Sequence, residues 1–302
     1  MSNNGSYSEC YGLLQWYQAM GVDEGIEEIS LIERLAQSRI KGLSSRESAL
    51  SSSSPKSYVS ASKSQHQNEY VEEHREVEPI MPVKKTLPSL IASTSDAVAQ
   101  AHSLAESCLD IPALHSVIKQ FEGCGLKATA LNTVFADGNV EAPLMLIGEA
   151  PGADEDRQGI PFCGESGKLL DQMLATIGLA RQENLYISNM IYWRPPGNRR
   201  PTAEEISICS PFVRRHIQLK KPRILLLLGA TAVQGILGRS EAMSTLRGKQ
   251  HVYYDAVLGE IPCFALFHPA YLLRQPSQKA LMWSDLLSIK RFVAQHHLLT
   301  LS

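Results

Sequence analysis

The 302-residue sequence has no apolar run approaching the ~18–20 residues that a bilayer crossing requires. It has no C-x-x-C pair, and its opening residues, Met1 to Tyr7, lack the basic and apolar regions of a secretory signal. Neither sign of charge dominates, since 29 Lys and Arg stand against 31 Asp and Glu. These lacks argue against a membrane protein, a secreted protein and a wholly disordered chain, and the expected location is the cytoplasm. The six cysteines, Cys10, Cys108, Cys124, Cys163, Cys209 and Cys263, are scattered, so buried thiols in a reducing compartment are expected rather than a disulfide framework. There is no internal repeat.

What is present is ordinary globular composition, 44% apolar and 20% charged, with an uneven distribution of charge. Residues 1–114 carry 9 basic and 15 acidic side chains; residues 115–302 carry 20 and 16. A mildly basic carboxy-terminal part permits an acidic partner such as nucleic acid, although +4 is also common on solvated surfaces.

Residues 1–41 read as a short helical segment, with Tyr11, Leu13, Leu14, Trp16, Tyr17 and Met20 at mixed helical spacing. Ser44 to Ser64 holds 11 serines in 21 residues, too little apolar surface to offset the entropy of ordering. Residues 42–110 are therefore expected to be a largely disordered linker, and 111–302 the folded domain. There, apolar runs at Leu144–Ile147, Leu185–Tyr192, Arg223–Leu228 and Pro262–Phe267 predict strands. Segments Ser166–Ile177, Thr202–Ile217, Ala230–Leu237 and Gln278–Gln295 predict helices, the second opened by the capping box Thr202-Ala-Glu-Glu205. Strands alternating with helices imply an α/β fold, a parallel sheet covered on both faces.

Ligands in open α/β sheets bind outside the carboxyl ends of the strands. That rule selects Gly148-Glu-Ala-Pro-Gly-Ala-Asp-Glu-Asp156, Asn189 onward, Gly229-Ala-Thr231 and His268-Pro-Ala270. The first loop carries Glu149, Asp154, Glu155 and Asp156, which could act as bases, bind a metal or face water. Gly164-Glu-Ser-Gly-Lys168 is not a phosphate-binding P-loop, because the required glycine and hydroxyl positions hold Phe162 and Leu169. His268 is either functional or structural. Arg194, Arg199, Arg247 and Arg274 could hold phosphates or be solvated charges.

Gly148-Glu-Ala-Pro-Gly-Ala-Asp-Glu-Asp-Arg-Gln-Gly159, Pro161-Phe-Cys-Gly164, Asn189, Arg194-Pro-Pro-Gly-Asn-Arg199 and His268-Pro-Ala270, in that order and spacing, resemble the family 4 type of uracil-DNA glycosylase over roughly residues 115–295. The resemblance implies a three-layer α/β sandwich with a central four-stranded parallel sheet, a monomer, uracil-containing DNA as the partner, and release of uracil to leave an abasic site. It implies backbone contacts to uracil from Glu149 and Ala150, base stacking by Phe162, and edge reading by Asn189. It gives His268 the hydrogen bond to O2, and Glu149, Glu155 and Asp156 the handling of water or of the sugar cation. Arg194, Arg199, Arg247 and Arg274 would contact DNA, with Leu272 and Leu273 wedged into the duplex. No lysine stands out as a Schiff-base nucleophile, so strand cleavage is not expected.

One departure concerns the cofactor. Members of the family hold a 4Fe–4S cluster on four cysteines. Only Cys124 and Cys209 match; the other two positions are Phe121 and Trp193, so no cluster and no metal are expected. The rival readings are a glycosylase of the same fold for another deaminated base, and a DNA-binding scaffold without catalysis.

Overall fold

The structure, a computed structural model, describes residues 93–299. The expected helical segment at 1–41 and most of the expected linker lie outside the described residues. The linker's final part is a correction. Residues Thr94–Ser107 form helix α1, started by a capping box in which Ser93 and Asp96 satisfy each other's backbone N–H groups. Ala97, Ala101 and Ala105 make one buried face. Alanine has the highest helix propensity and little bulk, so a sparse apolar stripe still allows close packing. That stripe is weaker than a leucine face, and the sequence reading passed over it for that reason.

Helix α2 (Ile111–Gln120), capped by Asp110, is followed by a 3-10 turn at Gly125–Thr129. A six-stranded sheet then forms from β1 (Ala136–Gly138), β2 (Leu144–Gly148), β3 (Leu185–Asn189), β4 (Ile224–Leu228), β5 (Gln250–Asp255) and β6 (Gly259–Leu266), in the order β1-β3-β2-β4-β6-β5. The four central strands, β3, β2, β4 and β6, are parallel, as expected. The sheet also has two antiparallel edge strands that the sequence reading did not find. β1 is three half-buried residues, too short for periodicity. β5 turns Tyr253 and Asp255 inward and leaves Val252 and Tyr254 exposed, a mixed pattern without a clean apolar face. Pro262 is tolerated inside β6 because β4 pairs only from Cys263 onward, so at Pro262 the strand has β5 as its one neighbour.

The central strands, of which β2, β3 and β4 are buried throughout, send alternate side chains to opposite faces. Met145, Ile147, Leu225 and Leu227 pack with α1, α2, α5 (Ala203–Lys220) and α6 (Gly229–Leu237). Leu144, Leu146, Leu226 and Leu266 pack with α4 (Glu165–Ala175) and α9 (Lys279–Gln295). Shorter helices, α3 (Ala153–Gln158), α7 (Met243–Leu246) and α8 (Pro269–Arg274), lie in the connections. This is the expected three-layer sandwich. Among the described residues no helix is long and apolar enough to cross a membrane.

Because α1 packs on α5, a chain starting at Ile111 is expected to melt several degrees below one starting at Ser93. Calorimetry on the two chains checks this; equal midpoints would show that α1 adds nothing to the fold.

Candidate active site

The parallel strands end together, and the loops that leave them enclose a pocket of about 890 Å³. β2 and β3 are paired in register down to Gly148 and Asn189, so the loop after β2 begins beside the Asn189 amide. Past Asn189 the chain leaves the sheet, with Met190 N–H donating to the Gly148 carbonyl at 3.0 Å and Ile191 N–H to the Glu149 carbonyl at 3.1 Å. Asn189 is 1% exposed, and its Oδ1 has no hydrogen-bond partner. A buried amide oxygen without a partner costs on the order of 1–3 kcal/mol unless a ligand supplies the donor.

Phe162 covers the same spot. It is buried in a left-handed conformation, φ 53°, and its ring lies 5.7 Å from the His268 ring. A Cβ at Gly148 would stand 2.4 Å from both the Asn189 Oδ1 and the Phe162 ring. Only glycine lets these groups converge. The strain at Phe162 is held by Arg181, which donates to the Pro161 carbonyl at 2.7 Å and the Phe162 carbonyl at 2.5 Å. Arg181 is itself fixed by ion pairs to Asp137 and Asp171. The sequence reading missed Arg181, since one arginine in a polar loop carries no local signal.

His268 is the N-cap of α8, and Pro269 fixes the first helical turn. The Ala270 N–H donates to its Nδ1 at 3.2 Å. Burial and the nearby Arg274 charge push its pKa down to about 4, so the ring is neutral at pH 7. With Nδ1 accepting, the single ring proton sits on Nε2.

The acidic loop separates into different roles. Glu149 and Ala150 line the pocket, and Thr231 donates its hydroxyl to Glu149 Oε2. Glu155 also reaches the pocket wall, but its two oxygens accept the Gly152 and Gly164 N–H groups, each at 3.0 Å. Asp156 does not belong to the site. It is 2% exposed, and its Oδ1 accepts the N–H groups of Leu131 and Asn132, which ties α3 to the loop before β1. Its expected catalytic role is corrected to a structural one.

The expected DNA contacts divide similarly. Arg199 lines the pocket mouth while paired to Glu205 by two hydrogen bonds. Arg200 and Arg274 also border it, and Leu273 is exposed. Arg194 hydrogen-bonds Asn198 in the adjoining loop. Arg247 is a correction: it forms a two-pronged pair with buried Asp285, donates to the Leu281 carbonyl and lies over Phe267. Those donors hold α9 against α7 and are not free for phosphates. Leu272 is likewise corrected, because it is fully buried beneath α8 and cannot enter a duplex without unpacking that helix.

Away from the pocket, Cys124 and Cys209 are buried free thiols, and the neighbouring Cys124 thiol together with burial raises the Cys209 thiol well above its ordinary value. Phe121 packs edge-to-face on Phe212 at 5.0 Å, and buried Trp193 donates its indole N–H to Thr133 Oγ1. Four thiolates cannot be assembled from this set. The residues do not fit the cubane cluster that the resemblance implies. No group of three or more His, Cys, Asp or Glu among the described residues is placed to hold a metal ion.

The sequence profile of the uracil DNA glycosylase superfamily matches residues 135–287. A type-4 uracil-DNA glycosylase from Pyrobaculum aerophilum is 35% identical over 183 residues, 59% of this chain and 92% of its own length. The type-4 enzyme from Archaeoglobus fulgidus is 40% identical over 167 residues (54% and 82%), and that from Thermotoga maritima 34% over 179 (58% and 91%).

Acid is expected to loosen this fold through two histidines. His216, stacked on Phe135 and bonded to the Tyr186 hydroxyl, is pushed down to about 3 by burial, and His268 to about 4. Unfolded, both take up a proton near 6.5. The unfolded chain therefore binds more protons below that value, so stability falls as pH drops from 6.5 through about 4. Thermal midpoints measured across this range should decline, and less steeply in His268→Gln.

Proposed function

The chain belongs to the uracil-DNA glycosylase superfamily, and from that premise we propose that it hydrolyses the N-glycosidic bond of deoxyuridine in DNA, releasing uracil and leaving an abasic site. The observation that carries this reading is the orphaned Oδ1 of Asn189, buried beside Phe162 at the head of the pocket. Uracil presents N3–H as a donor and O4 as an acceptor on one edge. A primary amide answers both, with Oδ1 receiving N3–H and Nδ2 donating to O4. Cytosine reverses the donor pattern at those atoms and would leave the amide opposed rather than paired. A base extruded from the duplex would lie against the Phe162 ring.

Breaking the glycosidic bond sends its electron pair into the uracil ring, and charge accumulates on O2. The neutral His268, with its proton on Nε2, is a preorganised donor for that charge. It interacts more strongly with the anion than with the ground state, and only such a difference accelerates the step. The sugar becomes cationic at C1′, and a water must add there. Of the four carboxylates of this loop, Glu149 and Asp154 line the pocket without a bond from a backbone N–H; Asp154 is paired with the exposed Arg157, whereas Glu149 is held by Thr231 at Oε2. In this reading Glu149 receives the proton of the attacking water and opposes the developing positive charge. Arg200, Arg274 and exposed Leu273 at the pocket mouth are suited to the DNA backbone and the vacated base position.

We also propose that the chain works without an iron–sulfur cluster. Phe121 and Trp193 are packed into the core where two thiolates would be needed, and no step above draws on such a group.

Base release from a uracil-containing oligonucleotide, followed with purified protein, tests the main reading; intact uracil after prolonged incubation would overturn it. His268→Ala should slow single-turnover release by about 100–1,000-fold, with DNA affinity changed less than about tenfold. Asn189→Asp, whose carboxylate cannot donate to O4, should cost ~10–100-fold. The purified protein should be nearly colourless; a shoulder near about 400 nm with about four irons per chain would contradict the cluster-free proposal.

A further inference from the structure

Glu149 projects from a loop, and three torsions separate its carboxylate from the backbone. A base so attached needs an anchor if its free oxygen is to meet a water at one place. That anchor lies 82 residues away. Thr231 sits in the first turn of α6, is 7% exposed, and donates its hydroxyl to Glu149 Oε2. The hydroxyl has one proton, and it is committed to this acceptor, which leaves Oε1 for the pocket. α6 starts directly where β4 stops, without a side chain capping its first turn. Through its bond to Thr231 the Glu149 carboxylate is tied to the first turn of α6, the positive end of that helix.

The same turn fixes the geometry of His268. Gly229 has φ 84°, and a Cβ there would come within 3.3 Å of the His268 Cβ. The imidazole and Thr231 are thus referenced to one rigid feature, the β4–α6 junction. Thr231 itself does not line the pocket, whereas Gly229 and Ala230 do.

We propose that Thr231 is a positioning residue for excision: its hydroxyl holds the Glu149 carboxylate so that one oxygen is presented to the attacking water. The inference rests on the uracil-excision reading and assigns a role within it. Thr231→Val keeps the shape and β-branching and removes only the donor. Thr231→Ser keeps the donor and removes a methyl group.

Single-turnover excision and equilibrium binding of uracil DNA are measured on the full chain, with thermal midpoints recorded for each variant. Thr231→Val is expected to lower the excision rate by about 10- to 100-fold, the usual consequence of losing a hydrogen bond to a charged group, and to change affinity less than about threefold. Thr231→Ser should restore the rate to within about threefold of wild type. In a Glu149→Ala background Thr231→Val should have little further effect, because the group it positions is gone. A loss of rate that persists undiminished in the Glu149→Ala background, or that Ser fails to repair, would overturn the inference. An active wild type with an equally active Thr231→Val would overturn it while leaving the excision reading standing; a wild type inert on uracil DNA would overturn both.

Discussion

The approach of three groups at Gly148 is the constraint on which the site depends. β2 and β3 run in register to their ends, so Gly148 and Asn189 are cross-strand partners. Because position 148 has no side chain, the Phe162 ring and the Asn189 amide occupy the space that a Cβ would fill. A methyl group there would displace both. The strained backbone of Phe162, the Arg181 clamp on its carbonyl and the two ion pairs that steady Arg181 follow from the need to hold a ring over a strand end. Local strain persists where its surroundings over-determine it.

Around that point the charges are divided between two tasks. Asp156 and the Arg247–Asp285 pair bind one part of the fold to another and are withdrawn from the pocket. Glu149 and the neutral His268 are left facing it. Glu155 lies between these groups, shaping the wall while its oxygens receive backbone N–H groups at the start of α3 and before α4. A half-buried carboxylate with two N–H donors is a structural anchor, since its lone pairs toward those donors are spent. The proposed reaction draws on one of the lining carboxylates, Glu149, and one uncharged donor, His268, positioned from different strand ends.

The core near Cys124 and Cys209 shows what happens when ligand positions are exchanged for aromatic ones. Phe121 and Phe212 meet edge to face, and Trp193 finds a partner in Thr133 for its only polar atom. Large aromatic side chains bury extensive apolar surface, so packing supplies the cohesion between α2, α5 and the loop after β3. The remaining two thiols, Cys124 and Cys209, are buried in the same core as free cysteines.

The sequence alone determined the α/β class, the four central parallel strands and the four strand ends that carry the pocket. These rest on local information: short, mostly apolar runs, a capping box at Thr202, and glycine or proline at the strand ends. It also placed Glu149, Ala150, Phe162, Asn189 and His268 as site candidates, and they surround one pocket. The edge strands escaped it because β1 is short and β5 lacks an apolar face, and α1 escaped it because its buried stripe is only alanine. Which carboxylate stays available, which arginines are spent and which leucine is buried were decided by tertiary structure. Asp156 meets its partners 24 and 25 residues away, Arg247 meets Asp285 across 38, and Thr231 meets Glu149 across 82. A side chain's hydrogen-bonding capacity is readable from its type, but the partner that consumes it is set by the assembled sheet, which brings distant loops to one edge.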